Sequence, residues 1–349
     1  MARWGDLFTD VLGPLKLPRH PLLLATFATR GLAATTWLAR RWFRQAPARA
    51  LLAGISAHAT LPLRQPPSAA VGVLLGIAGH TVGWPLPRGG AASITGALVS
   101  YFGSLGGELL TGAPVESLDD LPPVRAILLD LTPRQILRLS GRHLSPWYRQ
   151  QLQGFRYGLG TFKVDWALDS PIPWRAPEAR RAATVHLGGT LEELDHGRQQ
   201  EWSGQPAERP FVVLVQPTLF DDSRAPPGKH VGWAYCHVPN ASAVDMTERL
   251  EAQVERFAPG FRDRILARQV TGPADLERGN PNLVGGDLNA GEMTLKQLFF
   301  RPAVRPIPYA TSNPRLFVCS ASTPPGGGVH GMCGYYAARL VPRRRFARR

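Results

Sequence analysis

The sequence has few of the residues that build metal centres and disulfide frameworks. Its 349 residues include three cysteines, Cys236, Cys319 and Cys333, and no two of them form a CxxC pair. The nine histidines do not fall at ligand spacings with cysteines or carboxylates. We therefore expect no metal site, and the odd, scattered set of cysteines indicates a reducing, cytoplasmic location.

Long apolar runs are also missing. The apolar stretch over residues 21–38 is interrupted by Arg30, and the stretch over 69–84 contains His80 and several glycines. Both fall short of the roughly 20 consecutive apolar residues that a membrane-spanning helix needs. Buried helices of a globular protein explain both stretches better.

Lysine is scarce, so arginine carries most of the formal net charge of +14. The arginines cluster in two places, near the start and in a basic tail over residues 343–349: Arg40, Arg41, Arg44, Arg343, Arg344, Arg345, Arg348 and Arg349. A solvated tail is the simplest interpretation, and peripheral contact with an anionic membrane is the alternative. We expect no nucleic-acid partner.

Apolar periodicity divides the chain into a helical part and a later part with strands. Residues 1–85 and 89–109 carry apolar residues at the three- and four-residue spacings of helices. Strands are predicted at 108–111, 114–117, 126–129, 158–168, 183–187, 210–218, 230–238 and 315–320, with an amphipathic helix at 244–257. The fully apolar run 126–129 is typical of a strand buried on both faces of a layered sheet.

A glycine-rich turn follows the last predicted strand, in PPGGGVHGMCGYYAARL from Pro324 to Leu340. Glycines let the backbone approach a ligand closely, and the unpaired N–H groups at a helix start favour negative charge. A reduced flavin carries negative charge near N1 and the C2 oxygen, so such a turn suits it. An ordinary strand-to-helix turn is the alternative interpretation.

Two long segments give this turn a more specific meaning. GGDLNAGEMTLKQLFFRPAVRP, from Gly285 to Pro306, and YATSNPRLFVCSASTPPGGGVHGMCGYYAARL, from Tyr309 to Leu340, closely resemble the C-terminus of the phytoene-dehydrogenase-like FAD oxidoreductases. That family includes bacterial carotenoid desaturases and the animal pyridine nucleotide-disulphide oxidoreductase domain 2 proteins, and this chain looks nearer to the latter. Further likenesses over 50–63, 86–118, 125–137 and 157–174 extend the resemblance over essentially the whole chain.

The resemblance implies a mixed α/β fold with two domains. Residues 86–145 and 285–342 would form a partial Rossmann-like FAD-binding domain. Residues 1–85, which are helical, and 146–284, with a mixed or antiparallel sheet, would form the substrate domain. The strands at 126–129 and 316–319 are then expected in one sheet, although about 190 residues separate them.

The implied cofactor is FAD, with most of its contacts in the glycine turn. Val115 matches the strand that passes the adenine, and Ser320 and Ala321 would lie by the ribityl chain or the pyrophosphate. The flavin would be lined by Gly326, Gly327, Gly328, Val329, His330 and Met332, although a core position explains Met332 nearly as well. Because the cofactor supplies the chemistry of such hydride or electron transfers, no catalytic residue is assigned.

The expected function is that of an FAD-dependent oxidoreductase, desaturase- or dehydrogenase-like, acting on a hydrophobic substrate. A group of large aromatic residues either lines a channel for that substrate or packs in the core: Trp84, Trp166, Trp174, Trp233, Phe155 and Phe162. The sequence alone leaves these two interpretations open.

One family feature is missing from the sequence. There is no strand–GxGxxG–helix unit, which in family members holds the ADP part of the cofactor. We therefore expect a truncated or split protein, with a missing N-terminal segment acting in trans or a start codon placed too late, and weak FAD binding by this chain alone. The alternative is a non-catalytic remnant that serves as a binding or interaction module.

Overall fold

The computed structural model describes residues 3–345, and its N-terminal part is helical, as predicted. The helices are α1 (Trp4–Val11), α2 (Pro21–Gly31), α3 (Thr35–Trp42), α4 (Ala46–Ser56), α5 (Ala69–Thr81), α6 (Ala92–Ser104), α7 (Pro133–Ser140), α8 (Pro146–Gln153), α9 (Leu191–Trp202), α10 (Thr247–Phe257), α11 (Pro273–Gly279), α12 (Leu295–Phe299) and α13 (Met332–Arg345). Within the described residues no single helix is long and apolar enough to cross a membrane. Helices α2 and α3 reach that length and composition only as a pair bent by 98°.

Helix α6 differs from its prediction because none of its residues is buried. The expected apolar face, Ile94, Leu98, Tyr101 and Phe102, is between 42% and 65% exposed. In the described part of the chain no element buries this face. The strands predicted at 108–111 and 114–117 are wrong, because no neighbouring strand provides ladder hydrogen bonds and the segment stays irregular.

Seven strands form two sheets within the described residues. They are β1 (Ile127–Leu129), β2 (Gly160–Leu168), β3 (Thr184–Leu187), β4 (Val212–Val215), β5 (His230–Val238), β6 (Ile265–Thr271) and β7 (Leu316–Val318). The larger sheet has the order β3-β4-β5-β2-β6, and every neighbouring pair in it is antiparallel. Its strands agree with the predictions except at β4, which ends before a 3-10 turn at Pro217, and at β6, a largely exposed edge strand that was not predicted.

One face of this sheet and helix α10 enclose the main hydrophobic core. Phe162, Trp166 and Trp174 lie within it and are at most 4% exposed. The Trp166 indole donates to Glu251 Oε1 at 3.0 Å, so its polar atom is paired inside the core. For Phe162 and Trp166 the core interpretation is therefore correct, whereas Trp174 belongs to this core and also lines a cleft at the β3 edge of the sheet.

The smaller sheet joins two distant parts of the chain. Strands β1 and β7 pair in parallel, with Ile127 opposite Leu316 and Leu129 opposite Val318, which confirms that the two apolar runs share a sheet. Strand β1 is not buried on both faces, because Leu128 is 41% exposed and no described element covers its side. The domain boundaries inferred from the resemblance stay a prediction.

Helix α13 includes the first part of the basic tail. It runs to Arg345, and the side chains of Arg343 and Arg344 are exposed, as expected for solvated arginines. Arg348 and Arg349 lie outside the described residues.

A buried polar cluster lies where the N-terminal helices cover β3 and β4. His58 Nε2 and His186 Nε2 are 3.0 Å apart, so one ring donates and the other accepts. Burial is the main cause that lowers the pKa of each ring to about 4. Burial also holds the pKa of the neighbouring His237 well below its ordinary value.

This histidine cluster predicts acid sensitivity. In the unfolded chain the rings titrate near pH 6.5, whereas in the folded chain His58 and His186 titrate near 4. Between these values the unfolded chain binds more protons, so the free energy of unfolding falls as the pH falls, by up to about 1.4 kcal/mol per pH unit for each ring. Burial raises the pKa of Glu201 to about 7. Glu201 therefore makes the folded chain more stable as the pH falls, which offsets the contribution of one histidine but not that of all three.

We expect the urea midpoint to decrease between pH 6.5 and 4. The double variant His58→Gln, His186→Gln is expected to flatten that slope, whatever its stability at pH 8. An unchanged slope in this variant would show that other groups cause the acid sensitivity.

Candidate cofactor site

The glycine turn joins β7 to α13 and is anchored from inside the protein. Ser320 Oγ donates to Leu131 O at 2.8 Å, and Ser322 Oγ donates to Ala290 O at 3.0 Å. The side chain of Ser320 is therefore occupied within the protein, and Ser320 is only 4% exposed. It positions the turn and leaves no free hydroxyl for a ligand.

The backbone of the turn presents unpaired donors. Gly327, Gly328 and Val329 have N–H groups with no acceptor among residues 3–345, and helix α13 begins three residues after Val329. Gly326 and Gly328 have φ values of 107° and 146°, which are strained for any residue with a Cβ. Val329 is 96% exposed, so the turn faces outward. Such N–H groups at a helix start form a site for an anionic or electron-rich group.

Asp287 holds the loop beneath the turn. Its Oδ2 accepts from the N–H groups of Gly158 and Gly291 at 2.8 and 2.7 Å, and its Oδ1 accepts from Asn289 N at 2.7 Å. Burial raises the pKa of this carboxyl, while the three N–H donors act in the opposite direction. Asn289 in turn lies directly against the turn, because a Cβ built on Gly327 would be 3.0 Å from Asn289 Oδ1.

Arg301 places a positive charge under the same turn. Its side chain is fully buried, and Nη2 donates to Ala290 O at 3.0 Å. A Cβ on Gly326 would lie 2.6 Å from Nη1, so only glycine fits above the guanidinium. The Nε and Nη1 atoms have no acceptor in the described residues. Burial lowers the pKa of Arg301 to about 10, so the group stays charged at neutral pH.

His330 is engaged within the protein and is not a free base. Its Nδ1 accepts from Met332 N at 3.0 Å, at the start of α13, and its ring also bonds to the Gly326 carbonyl. Burial is the main cause that lowers the pKa of His330, so the ring is neutral at pH 7. Cys333 is similarly occupied, since its thiol lies 3.5 Å from Thr323 O and burial raises its pKa.

The structure brings most of the predicted site residues together. Positions 320 to 332 form one continuous turn and helix start, with Ala321 and Met332 half-buried. Val115 lies apart from them in sequence, in the irregular segment after α6, and is 45% exposed. Asp287 and Arg301 were not predicted as site residues, although the polar segment after Gly285 and Gly286 is an available signal for the first.

A second surface lies on the face of the larger sheet opposite α10, where side chains on β2 and β5 are half-buried and Tyr235 packs against the core under the N-terminal helices. Lys163 and Asp165, each about one third exposed, form an ion pair on β2. Trp233 and Tyr235 lie opposite them on β5, with their rings stacked at 6.4 Å, and Lys163 Nζ is 5.7 Å from the Trp233 ring centroid. The surface begins beside Gly286, where a Cβ would lie 3.1 Å from Thr161 N on β2.

Comparison with solved structures defines the class of fold. An oxidoreductase from Methanosarcina mazei superposes with a TM-score of 0.60 at 17% identity, covering 92% of this chain and 71% of that protein. A putrescine oxidase variant redesigned for cofactor binding superposes with a TM-score of 0.56 at 14% identity, covering 99% of this chain and 74% of the oxidase. The chain thus shares the mixed α/β fold of these two proteins, as predicted.

Sequence relatives confirm the more specific resemblance. The pyridine nucleotide-disulfide oxidoreductase domain-containing protein 2 of Mus musculus is 31% identical over 182 residues, covering 48% of this chain and 31% of the mouse protein. A lycopene-forming phytoene desaturase of a Paracoccus species is 22% identical over 276 residues, covering 71% of this chain and 52% of the desaturase. The chain therefore resembles the phytoene-dehydrogenase-like FAD oxidoreductases and spans about a third to a half of these relatives. No protein-family model matches it.

Proposed function

We propose that this chain provides the flavin-contacting turn and the substrate-facing sheet of an FAD-dependent oxidoreductase acting on a hydrophobic substrate. The observation that carries the proposal is the electropositive glycine turn. It combines the unpaired N–H groups of 327–329, the start of α13 and the buried charge of Arg301. These groups fit a flavin, which becomes negatively charged near N1 and the C2 oxygen on reduction.

FAD, when bound, would supply hydride-accepting chemistry: a C–C or C–N single bond of the substrate would become a double bond as a C–H bond gives up its hydride and a proton is released to water. The residues of this chain would bind and orient the flavin. Asp287 and Ala290 fix the loop under the turn, and Arg301 adds positive charge where electron density increases. Because Nδ1 of His330 accepts from Met332 N, we assign it a structural role at the start of α13 and no proton transfer.

The substrate is proposed to lie on this half-buried part of the sheet face, over β2 and β5. Trp233 and Tyr235 offer a stacked aromatic surface, and the Lys163–Asp165 pair next to them is electrically neutral as a unit. An apolar molecule on this face would extend from the glycine turn across β2 and β5. Of the aromatic residues predicted to line a channel, Trp233 is the one that this arrangement supports.

The apolar surface around α6 supports a further part of the proposal. The whole apolar helix α6 is exposed to solvent. Leu109 and Leu110, at 57% and 72%, and Leu128 of β1 are exposed as well. Apolar side chains exposed along a whole helix are typical of an interface. We propose that a dinucleotide-binding unit, joined to this chain or separate from it, packs there and completes the FAD site. Contact with a membrane stays a prediction.

The glycine turn can be tested with the chain fused to the dinucleotide-binding unit of a relative. Gly327→Val is expected to weaken FAD binding by at least about tenfold, because its side chain would displace Asn289 and the turn. Gly76→Val is the control, since a Cβ at Gly76 meets nothing within 4 Å. FAD fluorescence quenching gives the affinity, and thermal melting separates binding from unfolding.

The same assay distinguishes the alternatives. Equal FAD affinity of the Gly327→Val and Gly76→Val variants would contradict the site. A folded fusion that binds no FAD at all would favour the non-catalytic binding module.

A further inference from the structure

An apolar cleft lies at the β3 edge of the larger sheet and has a volume of about 620 Å³. One wall is a stripe of α4, formed by Pro47, Ala50, Leu51 and Gly54 at the spacing of one helix face. Leu51 is 68% exposed although it is apolar. The volume is within the range of about 300–1,000 Å³ that is common for small-molecule sites.

Large aromatic side chains form the other wall of the cleft. Trp174 and Phe257 lie there with Ala179, and His186 and Phe211 line the inner part. Because the His186 ring is neutral and already paired with His58, it adds no charge to the cleft. The ligand that fits these walls is apolar over most of its surface.

The cleft is separate from the cofactor site. The loop of Asp287 attaches next to β2, and strands β4 and β5 lie between β2 and β3. Three strand spacings of roughly 4.8 Å correspond to about 15 Å. A ligand in the cleft would therefore occupy a place of its own, and this inference does not rest on the proposed function.

The rim of the cleft carries one guanidinium without a carboxylate partner. Arg256 binds Glu193 in a bidentate pair at 2.8 and 3.1 Å, and Arg209 binds the same carboxylate. Arg175, in contrast, forms no ion pair with any acidic side chain among residues 3–345. One unpaired guanidinium suits a planar monoanion, which it can bind through two parallel hydrogen bonds.

We propose that this cleft binds a long-chain carboxylate, with the hydrocarbon chain between α4 and the Trp174–Phe257 wall and the carboxylate on Arg175. Burial of the chain provides most of the affinity, and the exposed ion pair provides preference for the charged headgroup.

Fluorescence titration of the full chain with cis-parinaric acid and with its methyl ester tests the proposal. The acid is expected to bind about fivefold more tightly than the ester, the upper range for one exposed ion pair. Arg175→Gln is expected to remove this preference and leave ester binding unchanged, which also shows that the cleft is intact. Arg181→Gln, a nearby exposed arginine outside the cleft, is the matched control and should keep the preference.

Filling the cleft tests the site of the hydrocarbon chain. Ala50→Trp is expected to weaken the binding of the acid and of the ester alike, and to have a melting temperature close to that of the parent chain. The proposal is overturned if the parent binds neither probe, if it binds both equally, if Arg175→Gln retains the preference, or if a folded Ala50→Trp variant binds as the parent does.

Discussion

Replacing Asp287 with alanine is expected to lower the free energy of unfolding by about 3 kcal/mol or more. The carboxylate accepts the N–H groups of Gly158, Asn289 and Gly291 while only 1% of the residue is exposed. Alanine would leave three buried donors without an acceptor, and each unsatisfied group costs about 1–3 kcal/mol. Urea unfolding followed by tryptophan fluorescence measures this change.

Two further variants make this test specific. Asp287→Asn is expected to have a free energy of unfolding between those of the parent and Asp287→Ala. Its amide oxygen can still accept a hydrogen bond, but its NH2 group faces a donor. Asp263→Ala removes an exposed carboxylate and is expected to change the stability by less than about 0.5 kcal/mol. If Asp287→Ala were as stable as Asp263→Ala, Asp287 would not hold the loop beneath the glycine turn.

Breaking the buried Arg198–Glu201 pair is expected to cost about 3–5 kcal/mol at pH 8. Arg198 Nη1 lies 2.6 Å from Glu201 Oε2, both side chains are 1% exposed, and Nη2 donates to Ala57 O in the helical region. Arg198→Met leaves a carboxylate alone in the core. Since burial already raises the pKa of Glu201 to about 7, this variant should regain stability as the pH falls and the carboxyl becomes neutral.

The double variant Arg198→Met, Glu201→Leu separates the cost of an unpaired charge from the value of the pair. It is expected to recover most of the lost stability, because no charge stays buried. Arg278→Met breaks a surface pair whose side chains are 74% and 49% exposed, and it should cost less than about 1 kcal/mol. A double variant as unstable as Arg198→Met would contradict this explanation.

Local patterns in the sequence predict much of the fold. Apolar periodicity identifies the N-terminal helices, four strands of the larger sheet and both strands of the smaller one. The pairing of β1 with β7 is expected from the resemblance, since the runs of Ile127 and Leu316 belong to one implied domain. Strand β6 lacks such a pattern because an edge strand exposes most of its side chains.

Failures of prediction occur where the outcome depends on distant partners. An apolar stripe such as that of α6 predicts burial only if an element is present to cover it, and none of the described residues does so. The roles of Asp287 and Arg301 depend on groups far away in sequence, such as Gly158 and Gly326. No local pattern reveals that these groups converge beneath the glycine turn.

The visible absorbance of purified protein tests the central claim most directly. The 349-residue chain alone is expected to be nearly colourless. After a dinucleotide-binding unit of a relative is added, in trans or by fusion, it should show the spectrum of a bound flavin. The unit would cover the apolar face of α6 and hold the ADP part of the cofactor, while Gly326–Gly328 and Arg301 meet the flavin. A folded, soluble assembly that stays colourless with FAD in excess, or an isolated chain fully loaded with flavin, would contradict the account.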